Sequence, residues 1–430
     1  MNPEWRKELY LKEDIYLGDL VDKDKFKNYY LSGYIRDAIF DFAEFTSDRE
    51  IFHPILLAGD AGSGKTSLVN YMNSYKIFKG HTIILNLDRV TNNRLIFEKI
   101  LEGLEEYYHE MSNINESIYN KYLEYHGSKS KLSYLDKIRN VLRLHNTISK
   151  DINIRKSEKY KNLIIVIDQI DMLNSKEIEK RIKEIFSVLE ESQFIHKIIC
   201  SRYDTLKICR AKSNSYFATI FRRQIEIMPS RIEKVIEKRL DCVSLNIYIT
   251  KTSFEKYFDN SKIRFIEEIS SNNVRLALDI FSNFLKKHKP DKSIKTEVFF
   301  INFLFSNKYI PNINEIESVN DGVRVPSTRI VFDALIKYNI IDNNFFNLLN
   351  QSLKSSLKTD RYCVAINRQN ILNSIRQLKE FLLIKESIYN DRQFDLTKKG
   401  RFILNIITNT DIYNRVYPFN DKAFNNFKVS

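Results

Sequence analysis

The segment GDAGSGKT at residues 59–66 constrains the fold more than any other part of this 430-residue chain. It places three of the chain's ten glycines within six positions, so bare backbone N–H groups can point inward at an anion. The apolar run PILLA at 54–58 reads as a buried strand, and SLVNYM at 67–72 reads as a helix. A chance match on a surface loop is the alternative, and it is the rarer one between a strand and a helix. The pattern therefore predicts a phosphate-binding P-loop.

The residues expected to bind nucleotide are the loop and the first turn of the helix after it. They are Gly59, Ala61, Gly62, Ser63, Gly64, Lys65, Thr66 and Ser67. Lys65 is expected to meet the β- and γ-phosphates, and the Thr66 hydroxyl to ligate a magnesium ion. ATP and Mg²⁺ are the predicted cofactors.

Length and composition bound the remaining possibilities. A chain of 430 residues suggests two or three domains. No apolar run approaches the ~20 residues that cross a bilayer, and the first residues lack the apolar stretch of a signal peptide, so we expect a cytoplasmic protein without membrane contacts. The four cysteines and seven histidines lack ligand spacing, which predicts neither zinc nor disulfide. A net charge of +13 is compatible with a polyanionic partner, and equally with lysines on solvated faces.

Apolar strands alternate with long helices after the P-loop, which is typical of a mostly parallel sheet covered on both faces. The predicted strands are Pro54–Ala58, Thr82–Leu87, Leu163–Ile167, Lys197–Cys200 and Gln224–Ile227. A largely helical stretch from about 94 to 161, interrupted near Gly127, separates the second strand from the third. No chemistry is assigned to it.

The third strand delivers an acid at its carboxyl end, in the run LIIVIDQID at 163–171. This end of a strand is where an α/β sheet places its ligand site. We expect Asp168 to hold the Mg²⁺ hydration shell opposite Thr66. The alternative is a buried strand followed by a polar turn.

Together with the P-loop, this run resembles the P-loop ATPases of the AAA+ and STAND classes, and within them the Orc/Cdc6-like branch. Those proteins carry four apolar residues followed by Asp-Glu-x-Asp, and Asp168 and Asp171 match both aspartates. Gln169 stands where the family has the glutamate that polarises the attacking water. A glutamine amide can position water but has little basicity, so the resemblance implies ATP binding with slow hydrolysis. Asp171 is a substitute base or, more simply, an orienting group.

Four arginines follow in the order of that family's motifs. Arg202 resembles the sensor 1 position, and Arg275 the sensor 2 position that reaches back from a helical lid to the γ-phosphate. Arg222 and Arg223 resemble the arginine finger that enters a neighbouring subunit's site. A surface salt bridge is the alternative role for each.

The C-terminal third suits a winged helix-turn-helix. One helix is predicted around Phe345–Leu353, and a second has an apolar stripe made of Ile371, Leu372, Ile375, Leu378 and Leu382. Two β-prone runs, Leu382–Tyr389 and Gln393–Leu396, would form the wing. Residues 351–401 hold eleven Lys or Arg against five Asp or Glu.

The side chains expected to contact DNA lie on the polar face of the second helix, in the wing and just after it. They are Gln369, Asn373, Arg376, Gln377, Arg392, Lys398 and Lys399. Winged helices also dock proteins, so the polar face has a second interpretation.

The predicted fold is α/β: a parallel-sheet P-loop NTPase core with a helical lid and a C-terminal winged helix-turn-helix domain. The expected domains are an N-terminal helical segment at 1–45, the ATPase core at 46–230, the lid at 231–290, linker helices at 291–335 and the winged helix at 336–430.

The resemblance implies an ATPase in which bound ATP controls engagement of duplex DNA or assembly, in replication, transposition or mobile-element defence. A protein partner and a homo-oligomer are further expectations. The alternative is a STAND-type signalling switch whose winged helix binds protein and which oligomerises with ATP. A metabolic P-loop kinase is disfavoured, because a lid and a winged helix add nothing to small-molecule phosphoryl transfer.

Overall fold

The chain divides into two compact units. One is built on a β-sheet, and the other contains both the N-terminal and the C-terminal segments of the chain. The sheet unit is Asp19–Ser230, and the terminal unit is Met1–Gly18 with Arg231–Ser430. The computed structural model describes residues 1–18, 28–29, 36–50, 52–60, 62–87, 93–112, 116–127, 133–157, 160–170, 175–203, 220–221, 223–271, 273–313, 315–316, 318–320, 323–325, 327–338, 368–386 and 394–416.

A parallel five-stranded sheet organises the sheet unit. Its strands are β1 (Ile55–Gly59), β2 (Gly80–Asn86), β3 (Asn162–Asp168), β4 (Ile195–Ser201) and β5 (Arg223–Ile227). Their order is β2-β3-β4-β1-β5, and every pair is parallel. All five predicted strands and the α/β class are therefore confirmed. The three inner strands are buried along their whole length, as strands covered on both faces must be.

Helices cover both faces of this sheet. They are α2 (Arg36–Ser47), α3 (Lys65–Ser74), α4 (Asn93–Ser112), α5 (Glu116–Gly127), α6 (Tyr134–Lys150), α7 (Ile152–Lys156) and α8 (Ser175–Leu189). Leu68 and Val69 of α3 pack with Phe42 of α2 against one face. Ile100 of α4 and Ile185 of α8 belong to the core on the other face.

The stretch between the second and third strands is helical, as predicted, and it is tied to the sheet by buried polar contacts. The Tyr107 hydroxyl donates to the carbonyl of Lys161 over 3.1 Å, just before β3. Nδ1 of His145 lies 2.8 Å from the Ser192 hydroxyl. Burial lowers the pKa of His145 to about 3, so the ring is neutral at ordinary pH. This stretch is an integral part of the sheet unit's second core.

The terminal unit is mainly helical. Its helices are α1 (Pro3–Glu8), α9 (Ile232–Val243), α10 (Ile247–Glu255), α11 (Asn260–Ser270), α12 (Val274–Lys287), α13 (Glu297–Ser306), α14 (Ser327–Tyr338), α15 (Arg368–Glu380), α16 (Lys398–Thr408) and α17 (Thr410–Tyr413), with a 3-10 turn at Ser293–Lys295. Two hairpins complete it, β6 (Ser318–Asn320) with β7 (Val323–Val325), and β8 (Ile384–Glu386) with β9 (Phe394–Leu396).

The first eighteen residues belong to this unit because Trp5 anchors them there. Its side chain is fully buried, and its indole N–H donates to the carbonyl of His288 over 2.8 Å. The ring meets Tyr257 edge-to-face at 5.2 Å between centroids. Burial of an aromatic side chain of this size is a dominant local contribution to stability. The domain boundaries expected from the sequence stay predictions.

Within the part of the chain that the structure describes, none of the helices combines the length and the apolar character that crossing a bilayer requires.

Candidate functional site

The P-loop joins β1 to α3 and exposes backbone donors at the start of that helix. Gly62 and Gly64 have φ of 71° and 94°, a left-handed conformation that side chains disfavour. Gly64 is the N-cap of α3, and no side chain caps the helix there. A glycine N-cap has no side chain that could accept from the first N–H groups of α3, and the helix dipole favours an anion at this end.

Gly59 is required because the backbone approaches closely at the end of β1. A Cβ on Gly59 would lie 2.9 Å from the carbonyl oxygen of Ile227 in the neighbouring strand and 2.7 Å from the Ser63 hydroxyl. The Ser63 hydroxyl is itself buried and has no hydrogen-bond partner among the described residues. A buried hydroxyl with no partner is costly unless a ligand completes it, so the loop fits a phosphate group.

Lys65 lies folded over this loop. Its ammonium group donates to the carbonyls of Gly59 and Asp60, each over 2.9 Å, and the residue is buried. These two carbonyls, both from the P-loop, fix the position of the cation. If a phosphate binds here, the ammonium group can exchange these two neutral carbonyl acceptors for an anionic phosphate oxygen, which forms a stronger hydrogen bond.

Asp168 ends β3 on the same face of the sheet as the P-loop helix. Ile164 and Val166 pack in one core with Leu68 of α3, and alternate residues of a strand share a face, so Asp168 points to that side. The strand β4 separates β3 from β1, which spaces Asp168 from the P-loop strand by roughly 10 Å. That gap suits a hydrated cation between the Asp168 carboxylate and the Thr66 hydroxyl better than direct contact.

Gln169 adopts a strained backbone next to this carboxylate. Its φ is 62°, which is uncommon for a residue with a side chain, and its N–H donates to Oδ1 of Asp168 over 2.8 Å. Such conformations cost free energy and concentrate at ligand sites. Asp171, the other acid predicted here, lies outside the described residues, as do Ala61 of the loop and Arg222.

Asn86, which the motifs do not include, lies at the same edge of the sheet as Asp168. It ends β2 and is directly opposite Asp168 in the register of the two strands. Its carboxamide oxygen is buried, with no hydrogen-bond partner in the described part of the chain. The signal was present in the sequence, because a polar residue ends an apolar strand next to the predicted Asp168 strand.

Arg202 follows the strand that lies between the P-loop strand and the Asp168 strand. It comes directly after Ser201, which pairs with Ala58 of β1, and its side chain is exposed. The next residue was not predicted: the Tyr203 hydroxyl donates to Glu226 over 3.1 Å. Burial, with the charges of Glu226 and Asp60, raises the pKa of Tyr203 to about 12. Arg202 therefore lies at the carboxyl edge of the sheet, between the P-loop strand and the Asp168 strand. Tyr203 lies near Asp60 of the P-loop.

Arg223 lies at the other end of the sheet. It begins β5, pairs with Ile55 at the start of β1, and forms an ion pair of 2.9 Å with Asp41 of α2. The four residue steps from Arg223 to Ile227, about 13 Å, separate it from the P-loop edge. Arg223 thus takes no part in the site of its own chain, and a role in a neighbouring copy stays a prediction.

Arg275 belongs to the terminal unit. It is exposed in the first turn of α12, whose N-cap Asn273 accepts from the N–H of Leu276 over 3.2 Å. A capped helix fixes the backbone of Arg275 and leaves its side chain at the surface. Its approach to a γ-phosphate remains a prediction.

The polar face of α15 carries three of the side chains predicted to contact DNA. Gln369, Asn373 and Arg376 are exposed and spaced so that they share one side of the helix. The Gln369 carboxamide donates to that of Asn373 over 3.1 Å. Lys398 is exposed just beyond β9. Arg392 and the predicted helix at 345–353 lie outside the described residues.

Two other residues of that set are placed differently. The Gln377 carboxamide oxygen accepts from the Thr328 hydroxyl of α14 over 2.8 Å, so this side chain joins two helices. Lys399 is partly buried, and desolvation lowers its pKa to about 8. Both are poorer contacts for phosphate or base edges than their sequence positions indicated, because a partner or burial already engages them.

No family model matches this chain. Among solved structures it is similar to the ORC2 protein of Aeropyrum pernix in its ADPNP–ADP complexes, at 12% identity and a TM-score of 0.43, over 88% of this chain and 94% of that one. It is similar to Cdc6p from Pyrobaculum aerophilum at 12% identity and a TM-score of 0.39, over 94% of this chain and 97% of that one.

The ORC1 protein of Aeropyrum pernix, solved in complex with DNA, is similar at 11% identity and a TM-score of 0.40, over 96% of this chain and 98% of that one.

Proposed function

We propose that this protein is an ATP-binding switch of the AAA+/STAND type, in which the nucleotide state controls engagement of duplex DNA. The observation that carries the nucleotide part is the pairing of an uncapped P-loop helix with Asp168 on one face and one edge of the sheet. The P-loop supplies backbone donors and Lys65 for the phosphates. Thr66 and Asp168 supply oxygen ligands for Mg²⁺, which prefers carboxylate, hydroxyl and water oxygens.

Hydrolysis by this site is slow in our proposal. Gln169 follows Asp168 directly, and its carboxamide can orient a water molecule without accepting its proton. A bound magnesium ion would neutralise charge on the β- and γ-phosphates, while Lys65 meets the γ-phosphate side. A nucleotide can act as a switch only if it binds two conformations of the protein with different affinities. Slow hydrolysis prolongs the time that the protein spends in its ATP-bound conformation.

The DNA part rests on the terminal unit's own surface. Gln369, Asn373 and Arg376 form an exposed polar stripe on α15, and the antiparallel hairpin β8–β9 with α16 follows directly in the chain. A helix followed by an antiparallel hairpin is the order of the second helix and wing of a winged helix-turn-helix, which supports this part of the proposal. The excess of basic residues in 351–401 gives the electrostatic attraction that phosphate binding needs.

Calorimetric titration of the full chain with ATP and Mg²⁺ tests the nucleotide part. Lys65→Ala is expected to weaken ATP binding about 10- to 100-fold, because it removes a charge-assisted contact to phosphate. Lys180→Ala, a surface lysine of α8, is the matched control and should bind as the wild type does. Equal affinity in Lys65→Ala and wild type would reject the site.

Fluorescence anisotropy with a labelled duplex over a salt series tests the DNA part. Arg376→Glu should weaken binding of every sequence and reduce the salt slope, whereas Asn373→Ala should alter sequence preference if that side chain meets a base edge. Lys180→Glu carries the same charge change in the sheet unit and serves as the control. Absence of duplex binding at low salt, with ATP and without it, would remove this part.

A second function is favoured by one specific observation. Leu372 and Leu382 are exposed on and beside α15, and apolar side chains suit a protein partner better than a phosphate backbone. In that case the chain is a STAND-type signalling switch whose terminal unit docks protein. Leu372→Ser distinguishes the two, because it should leave salt-dependent duplex binding within about twofold and abolish protein docking.

A further inference from the structure

Five large apolar side chains of the terminal unit lie together on its surface. Tyr248 is 82% exposed and Leu245 is 68% exposed, while Tyr10, Ile247 and Ile249 are each more than one-third exposed. The N–H of Leu245 donates to the carbonyl of Tyr10 over 2.9 Å, which joins the N-terminal segment to the start of α10. We call these five residues the apolar ridge.

The ridge is held in a fixed conformation by the surrounding backbone. Lys12 donates its N–H to the carbonyl of Val243 over 2.9 Å. Asn246 caps α10 by accepting from the N–H groups of Tyr248 and Ile249, over 3.1 and 3.3 Å. The buried Thr250 donates to the carbonyl of Leu9 over 2.9 Å. An ordered helix start thus presents its apolar side chains outward.

The core of the terminal unit does not require these side chains. Thr250 and Phe254 form the buried side of α10, so the helix already has an inward face. At their exposed fractions the five side chains present on the order of 500 Å² of apolar surface, which is near the upper end for a monomer's largest patch. A single exposed residue such as Phe40 in the sheet unit needs no such explanation.

We propose that the apolar ridge packs against the same ridge of a second copy of this chain. Exposed charges of both signs flank it, namely Lys12, Glu13, Lys251 and Glu255. Lys251 and Glu255 lie one turn apart on the outward side of α10, so a two-fold axis can set each Lys251 opposite the other copy's Glu255. A surface made for anionic lipid would carry charges of one sign instead.

The area also suits a second copy. A stable interface buries about 800 Å² on each partner, with an apolar centre and a polar rim. The ridge supplies the apolar centre, and its flanking lysines and glutamates supply the rim. This proposal is independent of nucleotide and DNA binding.

Sedimentation velocity of the full chain over a concentration series tests the ridge. The wild type should approach twice the monomer mass, and Leu245→Ser combined with Tyr248→Ser should need at least a tenfold higher concentration to do so. Both positions are exposed, so thermal unfolding should be unchanged in the double variant. Phe40→Ser removes an apolar residue of the sheet unit that is 60% exposed, and it should associate as the wild type does.

A charge exchange tests the second copy as the occupant. Lys251→Glu and Glu255→Lys should each weaken self-association, and the two changes together should restore it, because each copy then carries both partners reversed. Lys65→Ala should self-associate as the wild type does, which separates this result from failure of the nucleotide site.

Three outcomes would overturn the proposal: a wild type that stays monomeric at every concentration, self-association that survives Leu245→Ser with Tyr248→Ser, or a monomer that binds phosphatidylserine vesicles through Tyr248.

Discussion

The two ends of the same parallel sheet differ in what their buried polar side chains contact. At the amino end, the Asn162 carboxamide donates to the carbonyls of Thr46 and Asp48, over 2.7 and 3.0 Å, and the His196 ring lies 3.0 Å from the carbonyl of Asp48. At the carboxyl end, the Ser63 hydroxyl and the carboxamide oxygen of Asn86 are buried without partners among the described residues. Among the same residues, Oδ1 of Asn162 and Nδ1 of His196 at the amino end are unpartnered as well, so the ends differ in that each amino-end side chain also bonds a backbone carbonyl through its other polar atom.

This contrast shows that buried polarity alone does not mark a site. At the amino end, the side chains of Asn162 and His196 bind backbone carbonyls at the end of α2 and so stabilise the fold. The carboxyl end leaves donors and acceptors for a ligand and adds a strained backbone at Gln169. Variants at the two ends should therefore have different effects: stability at one end, and nucleotide chemistry at the other.

The largest expected effect is on catalysis at the carboxyl end. Gln169→Glu should raise steady-state ATP turnover by about 100-fold, because it supplies a carboxylate base next to Asp168. Phosphate release by the full chain measures this. Gln369→Glu makes the same chemical change on the exposed face of α15 and should leave turnover unaltered. Unchanged turnover in Gln169→Glu would show that water is activated elsewhere.

At the amino end, Asn162→Ala should lower the free energy of unfolding of the sheet unit by about 2–3 kcal/mol. The carbonyls of Thr46 and Asp48 would then lose a donor in a buried setting. Urea denaturation with ATP titration in parallel is the measurement, and ATP affinity per folded molecule should not change. Asn120→Ala, on the surface of α5, is the control, and a similar loss there would argue against a specific role for Asn162.

The pH dependence of stability should also report on the amino end. Burial lowers the pKa of His196 to about 4, below the value of about 6.5 in an unfolded chain. The unfolded state therefore binds a proton first. The contribution of neutral His196 to the free energy of unfolding is complete above pH 6.5 and is lost as the pH falls from there toward 4. Between pH 7 and pH 5 the free energy of unfolding should fall by about 1–2 kcal/mol for this reason.

His196→Gln keeps a donor for the Asp48 carbonyl and removes the titrating group, so it should flatten this part of the profile. His145 titrates in the same direction and remains in that variant, which leaves part of the slope. A profile identical to that of the wild type would show that His196 is not buried in a neutral form.

The smallest effect is expected for Asn86→Ala at the carboxyl end. Its buried oxygen has no described partner, so the free energy of unfolding should change by less than about 0.5 kcal/mol. The Mg²⁺ concentration needed for half-maximal ATP binding should rise a few-fold, because the side chain opposite Asp168 is lost. Destabilisation as large as that of Asn162→Ala would mean that the two ends of the sheet are built alike.

Much of the sheet could be predicted from local pattern. Strands covered on both faces are continuous apolar runs, and the five runs ended within two residues of the observed strands. The P-loop could be predicted equally well, because its glycines, Lys65 and Thr66 lie close together in the chain. Strand order could not be predicted in this way, because β4 lies between β1 and β3 and its pairing with β1 joins residues more than a hundred positions apart.

The same limit explains why the surroundings of three predicted site residues could not be predicted. The sequence places Gln377 on the polar face of a helix, whereas in the structure its carboxamide oxygen accepts from the Thr328 hydroxyl of α14. The sequence places Lys399 after the predicted wing, whereas in the structure its side chain is partly buried. Arg223 sits beside a strand in the sequence, yet only the register of β5 against β1 shows that it lies at the amino end.

The sequence by itself determined the P-loop, the α/β class and the strands, because each depends on residues close together in the chain. Only the tertiary structure decided that Asn86 is opposite Asp168, that Trp5 anchors the N-terminus near His288, and that the apolar ridge is left uncovered. The physical reason is that burial and register are properties of contacts between distant segments. A local pattern records which residues can be buried, and the packing of the whole unit decides which of them are.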